Sequence, residues 1–232
     1  MFKLRNQELI ILIVTVVIFA GFSVFLDKFF STGNLLTLMR SVSILGILSI
    51  AMAVVVISKG IDLSLIATLA VGTALASVLS SGDVLPLIDL PFIYAVLIGL
   101  IFTSVLCAIT GILVAYWDMA SVFVTLAMAG VIYGLGRTLF IGDELNYLPE
   151  DALWLEYLGR GQLFGVPMPI ICFLSLALLM HLLLTKTTFG KFVYSIGDSG
   201  LAARTAGVPV RPILVMIFII AGLVAYFAGL LT

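Results

Sequence analysis

LIILIVTVVIFAGFSVFL, residues 9–26, holds fourteen Leu, Ile, Val or Phe side chains in eighteen positions and no charge. A run of that kind is long enough to cross the roughly 30 Å hydrocarbon layer as a helix, where every backbone N–H and C=O finds its partner inside the segment. Each such side chain near the centre of a span favours insertion by about 0.3–0.6 kcal/mol, so the preference for lipid outweighs any other local term. Lys3 and Arg5 precede the run, and FSVFLDKFF follows it without a small-x-small cleavage pattern. An uncleaved first anchor is expected, not a secretory signal.

Outward from this segment, six more apolar runs occupy residues 41–58, 63–80, 92–116, 122–141, 168–185 and 213–231. The chain is therefore read as all-α, a polytopic transmembrane helical bundle of about seven spans forming a single domain over 1–232. The third run, LSLIATLAVGTALASVLS, is rich in small and hydroxyl residues and needs neighbouring helices to hold it in lipid. Composition excludes the soluble alternative: 63% of residues are hydrophobic and 10% charged, where a soluble domain carries about 25% charged residues. A net charge of −1 leaves no basic face for nucleic acid, which is excluded as a partner. Cys107 and Cys172 lie inside apolar runs with no CxxC or Cys/His spacing, and His181 has no ligand-spaced companion. Neither metal nor cofactor is expected, and the cysteines read as inert core side chains.

With the N-terminus cytoplasmic, alternation of spans places Lys3, Arg5, Lys59, Lys186, Lys191, Arg204 and Arg211 inside and Lys28, Arg40 and Arg160 outside. That excess of inner cations favours this orientation. The outer segments 81–91 and 142–167 carry Asp83, Asp89, Asp143, Glu144, Glu150, Asp151 and Glu156 with one arginine. Trp154 and Tyr157 on the outer side fit the interfacial aromatic belt.

Small residues at four-residue spacing mark close-packing faces: Gly130 and Gly134, Gly111 and Ala115, Ala70 and Ala74, and Ala221, Ala225 and Gly229. SKGIDLS, residues 58–64, squeezes Lys59, Gly60 and Asp62 between two apolar runs, which demands a sharp turn or a broken helix. Two readings of Asp62 stand: a cap on the helix that follows, or an ionisable group lining or gating a pathway. Arg137, four residues from the end of its span, either snorkels to the headgroups or faces a polar route. Thr68, Thr73, Thr103, Ser104, Thr110, Thr125 and Tyr133 are hydroxyl-bearing residues expected to be buried, although membrane hydroxyls also bond their own backbone. The inner loop KTTFGKFVYSIGDSGLAARTAGVPVRP contains GLAARTAG, a short helix-tolerant run closed by glycine. Either it docks on a partner or it lies on the membrane surface, because one or two turns of helix are not stable alone.

SKGIDLS, then VFVTLAMAGVIYGLG, then TTFGKFVYSIGDSGLAARTAGV resembles, in order and spacing, the permease subunits of bacterial ABC importers for ribose, xylose, galactose and related sugars, including autoinducer-2. The likeness runs from about Gly46 to the C-terminus. It implies a non-catalytic importer subunit of the bacterial inner membrane. The expected partners are a cytoplasmic ATP-binding subunit, a second permease copy or relative, a periplasmic substrate-binding protein and the lipid bilayer. It also implies that Gly200, Leu201, Ala202, Ala203, Arg204 and Gly207 form the ATPase-coupling helix. Asp62, Ser64, Thr68, Thr125, Tyr133 and Arg137 are the candidates for the translocation pathway or its gate. Leu201 stands where the family usually has Glu, Lys59 where it has Gly, Ala120 and Ser121 where Pro is frequent, and Tyr133 where Arg is common. Family members continue through further helices, so the chain is expected to be incomplete at its C-terminal end. The competing class is an ion-coupled secondary transporter, which requires acids or discontinuous helices near the midplane.

Overall fold

The computed structural model describes residues 6–81, 91–139 and 152–232. The helices are α1 (Asn6–Phe25), α2 (Thr32–Ile57), α3 (Leu65–Ser81), α4 (Phe92–Tyr116), α5 (Ser121–Leu139), α6 (Leu153–Arg160), α7 (Met168–Lys186), α8 (Thr188–Asp198), α9 (Gly200–Thr205) and α10 (Val210–Leu230), with a two-stranded hairpin, β1 (Gln162–Leu163) and β2 (Val166–Pro167), between α6 and α7. Among the described residues, five helices are long and apolar enough to cross a membrane, and two shorter apolar ones, Leu9–Phe25 and Leu65–Ser80, coincide with the other two predicted spans. The expected sites at Lys3, Arg5, Asp83, Asp89, Asp143, Glu144, Glu150, Asp151 and Ile141 lie outside the described residues. Among the described residues one boundary differs by more than three residues: α2 begins at Thr32, not Ser41, which puts Arg40 inside a helix where an outer loop was expected. The polar residues of TGNLLTLMR hid a helix start that contributes little apolar signal.

The chain divides into Met1–Val42 and Ser43–Thr232. In the first unit α1 turns into α2 through a bend in which Lys28 takes φ 65°. Ser31 N–H donates to Lys28 O at 3.0 Å and Asn34 Nδ2 to Phe29 O at 2.7 Å. Phe19 meets Phe29 edge-on at 5.4 Å between ring centres.

In the second unit α3, α4 and α10 pack on one another and α5 packs on α3. In lipid, helices gain nothing by hiding apolar surface from water, so close backbone approach and dispersion contacts decide the packing. At Gly111 of α4 an added Cβ would lie 2.8 Å from Val215 Cα of α10, so these helices touch backbone to backbone. Ala221 and Ala225 are wholly buried, and Gly229 faces Thr73 and Leu69 of α3, as the small-residue spacing predicts. Tyr226 completes the seam by donating its hydroxyl to Val96 O at 2.9 Å. The Gly130/Gly134 face departs from expectation: both positions are exposed, with nothing within 4 Å of an added Cβ.

The unit has two polar ends. At one, residues 58–64, residues 117–120 and α8–α9 lie together. Lys59 reaches Asp198, and Arg211 reaches Asp118 at 3.9 Å while stacking 5.4 Å over the Tyr116 ring. At the other, α6 meets both the start of α4, through Phe92 and Trp154 with rings 6.0 Å apart, and the end of α10, where Gly159 abuts Leu231. The spans therefore alternate in direction as the sequence requires.

Candidate functional site

The segment between α7 and α10, expected as a polar loop around one short helix, is built as two helices. Thr187 opens α8: its hydroxyl accepts from Gly190 N–H at 3.3 Å and donates to Leu183 O at 2.6 Å. Gly190, Val193, Ile196 and Gly197 form the buried face of α8, while Lys191, Tyr194 and Asp198 are exposed. The two glycines let the helix backbone lie directly on the bundle, Gly190 against the Leu184 main chain and Gly197 against the Ile57 carbonyl. Any side chain there would have to push main chain aside.

Ser199 ends α8 and caps α9 by accepting from Ala202 N–H at 3.3 Å. Six residues later the helix stops in a left-handed turn: Gly207 has φ 85°, with Gly207 N–H on Arg204 O at 3.1 Å and Val208 N–H on Ala203 O at 3.0 Å. This is the two-bond glycine stop that closes many helices, and it requires a residue without Cβ. Of the candidate coupling residues, Gly200 starts α9 half-buried, Ala203 anchors it at 2% exposure, and Leu201, Ala202, Arg204 and Gly207 face outward. Leu201 is 77% exposed, so an aliphatic side chain stands free at the crest of a polar elbow.

The second candidate group divides. Asp62 Oδ1 accepts from Ser64 N–H at 2.9 Å and from Ser64 Oγ at 2.6 Å, just ahead of α3. Ser64 O in turn accepts Thr68 N–H at 2.9 Å, and the buried Thr68 hydroxyl lies beside the Cys107 thiol. Thr125 joins this nest from α5, donating to Ile61 O at 3.2 Å. Asp62, Ser64, Thr68 and Thr125 are all buried. Burial raises the proton affinity of the Asp62 carboxyl, and the two hydrogen bonds from Ser64 oppose that rise. The capping function is thus present, although Asp62 sits three residues ahead of α3 and secures the turn more than the first helical turn itself.

Tyr133 and Arg137 are elsewhere. Tyr133 is 51% exposed, not buried as expected, because it shares a face with Gly130, Gly134 and Arg137 on the side of α5 away from α3. Arg137 is twelve residues beyond Thr125, roughly 18 Å along the helix. Of the remaining hydroxyl candidates, Thr73, Ser104 and Thr110 bond their own helix, at 2.9, 2.7 and 3.0 Å to Leu69, Leu100 and Leu106 carbonyls. No group of three or more His, Cys, Asp or Glu able to hold a metal occurs among the described residues.

Residues 34–232 match the family described as "Branched-chain amino acid transport system / permease component". The chain belongs to this permease family. Among curated relatives it is 33% identical to the ribose import permease protein RbsC of Bacillus subtilis (strain 168), over 89% of this chain and 62% of that protein. It is 31% identical to the L-arabinose ABC transporter permease protein AraH of Azospirillum brasilense, over 95% of this chain and 62% of that one. With the galactofuranose transporter permease protein YtfT of Escherichia coli (strain K12) it shares 29% identity over 86% of its length. The chain thus spans 62% of the length of each of the first two relatives. No solved structure matches it. As a permease with several long apolar helices it is a multi-pass membrane protein.

Two features of this permease escape a reading of its sequence. Ser121, noted only for standing where proline is frequent, accepts Ile61 N–H at 3.0 Å and so ties α5 to the break. Gly190 and Gly197, seven apart and hence on one helix face, are contact points where their local pattern suggests only punctuation. Their spacing was the available signal.

Proposed function

We propose that this chain is the membrane subunit of an ATP-driven, binding-protein-dependent importer of a monosaccharide or similar small polar solute, with α8–α9 as the dock for a separate cytoplasmic ATPase. The observation that carries the reading is α9 itself. A six-residue helix cannot persist unsupported in water, yet here it is capped at both ends, seated on Ala203, and left with Leu201 and Arg204 outward. That is the form of a fixed knob awaiting a socket. The names of the relatives, import permeases for ribose and arabinose among them, supply the solute class.

Lys59, Lys186, Lys191, Arg204 and Arg211 gather at the α9 end, while the described part of the opposite end of this unit carries Arg137 and Arg160, so the bias of cations toward the cytoplasm puts the elbow inside. The bilayer is then the bacterial inner membrane. A second permease subunit pairs with this one, and a periplasmic protein delivers the solute at the α6 end. The chain performs no chemistry; nucleotide binding in the partner biases the bundle between outward-open and inward-open forms. Asp62, Ser64, Thr68 and Thr125 lie where the pathway meets the docking end, and Tyr133 and Arg137 mark an open face of α5.

The test is uptake of labelled sugars by cells expressing the full-length permease with its ATPase. Uptake stops when the ATPase is inactivated and survives collapse of the proton and sodium gradients; the reverse pattern assigns the chain to ion-coupled transport. Gly207→Val, which places a branched side chain at φ 85°, abolishes co-purification of the ATPase while leaving membrane insertion intact. Undiminished co-purification removes α9 as the dock.

A further inference from the structure

The end of α2 stops in the same two-bond turn as α9, but with the wrong residue in it. Lys59 N–H bonds Val56 O at 2.9 Å and Gly60 N–H bonds Val55 O at 3.0 Å, so the left-handed position falls on Lys59, at φ 63°. Glycine takes that conformation freely, whereas a residue with a Cβ is strained in it. Local backbone preference therefore argues against the lysine found there.

Its side chain supplies the compensation. Lys59 Nζ donates to Asp198 O at 2.9 Å, across 139 residues of sequence. Asp198 is the last residue of α8, and its carbonyl lies at the negative end of that helix, where an ammonium group is favoured. Beside this bond Gly197 lies against the Ile57 carbonyl. Beside the apolar cluster that takes in Val54, Val55, Val193 and Ile196, the elbow thus meets the end of α2 through two close contacts. The Gly197 contact is steric and acts chiefly against compression, whereas the Lys59 bond acts against separation.

On its other side the break is held as firmly. Ile61 donates its N–H to Ser121 Oγ at 3.0 Å and accepts the Thr125 hydroxyl on its carbonyl at 3.2 Å, so both its backbone polar groups are committed to the first turns of α5. Asp62 then fixes the entry to α3 through Ser64. Between Lys59 and Ile61 stands one residue, Gly60.

From this arrangement we infer that residues 58–62 are the joint through which the elbow moves α3 and α5, with Lys59 as the positioning residue that lets the elbow pull as well as push. The inference rests on the reading of α8–α9 as the ATPase dock. When the elbow is pressed toward the bundle, Gly197 on Ile57 carries the displacement. When it withdraws, the Lys59 bond is the hydrogen bond among the described residues that draws the break after it. Without that bond the dock still binds and the ATPase still turns over, but the return of α3 and α5 is no longer bound to the cycle.

The experiment compares wild type, Lys59→Gly and Lys59→Arg in the full-length permease, assembled with its ATPase in proteoliposomes, reading solute moved per ATP hydrolysed. Lys59→Gly relieves the left-handed strain, so its folding is not impaired, and it removes the ammonium group. It is expected to co-purify the ATPase at wild-type level while the transport ratio falls at least about threefold, the scale of one charge at a helix end. Lys59→Arg retains a donor and a charge and restores most of the ratio. A wild-type ratio in Lys59→Gly overturns the joint, as does loss of co-purification, which assigns the lysine to docking. Should Lys59→Gly fail to reach the membrane, Lys59→Asn, tolerant of the same backbone conformation, is read by the same criteria. Wild-type uptake that needs no ATPase overturns the dock reading and the joint with it; a change confined to Lys59→Gly bears on the joint alone.

Discussion

Asp62 and Lys59 stand three positions apart in one break, and each has a partner of a different kind. Asp62 finds its partner two residues on, at Ser64, and an acid-x-serine pattern ahead of an apolar run is enough to anticipate it. Lys59 bonds a carbonyl 139 residues away, and nothing in SKGIDLS encodes that. A carboxyl with a higher proton affinity folded than unfolded adds stability in its protonated form. That contribution is complete below the ordinary value of 3.8 and is lost as pH rises through the higher folded value. The thermal midpoint of the solubilised protein should therefore carry a component that declines with rising pH above 3.8. Asp62→Asn, which keeps an oxygen for Ser64, should lack that component in a pH series of melting curves. An unchanged profile in the variant shows that Asp62 titrates normally and that water reaches it.

Among the elements, the spans were legible and the connections were not. Seven apolar runs announce themselves because lipid leaves a helix no other way to satisfy its backbone. α8 and α6 answer instead to the surfaces they rest on. Gly190 and Gly197 look like helix breakers until Leu184 and Ile57 are placed beside them. The same distinction applies to small residues within spans, where spacing marks a possible contact and only packing decides whether it is used. Gly111→Ala should cost about 1–3 kcal/mol, since the new methyl meets the backbone of α10. Gly130→Ala, with open space before it, should be neutral or stabilising by up to about 1 kcal/mol through helix propensity. Unfolding in mixed micelles, followed by circular dichroism, separates the two, and equal effects would mean that α4 and α10 do not touch at Gly111.

For the whole molecule, the alternation of spans follows from their number, but which end faces the cytoplasm was read from Lys and Arg alone. The structure brings the cation-bearing segments together at one end through contacts such as Lys59 to Asp198 and Arg211 to Asp118. Cysteine placed at Leu201 should react with a membrane-impermeant maleimide only after the cytoplasm is opened, and cysteine at Glu156 should react in intact spheroplasts; the opposite pattern inverts the molecule. The far end has its own consequence. Tyr157 on α6 donates its hydroxyl to Gln162 O at 3.2 Å, bracing the hairpin whose tip holds Phe164 at 98% exposure. With Trp154 and Tyr157 also outward, three rings ride on one stiff outrigger, and rings of this kind settle at the boundary between headgroups and acyl chains. In the proposed orientation the outrigger would set the depth at which the protein floats, and a thicker membrane would tug on α7 and α10.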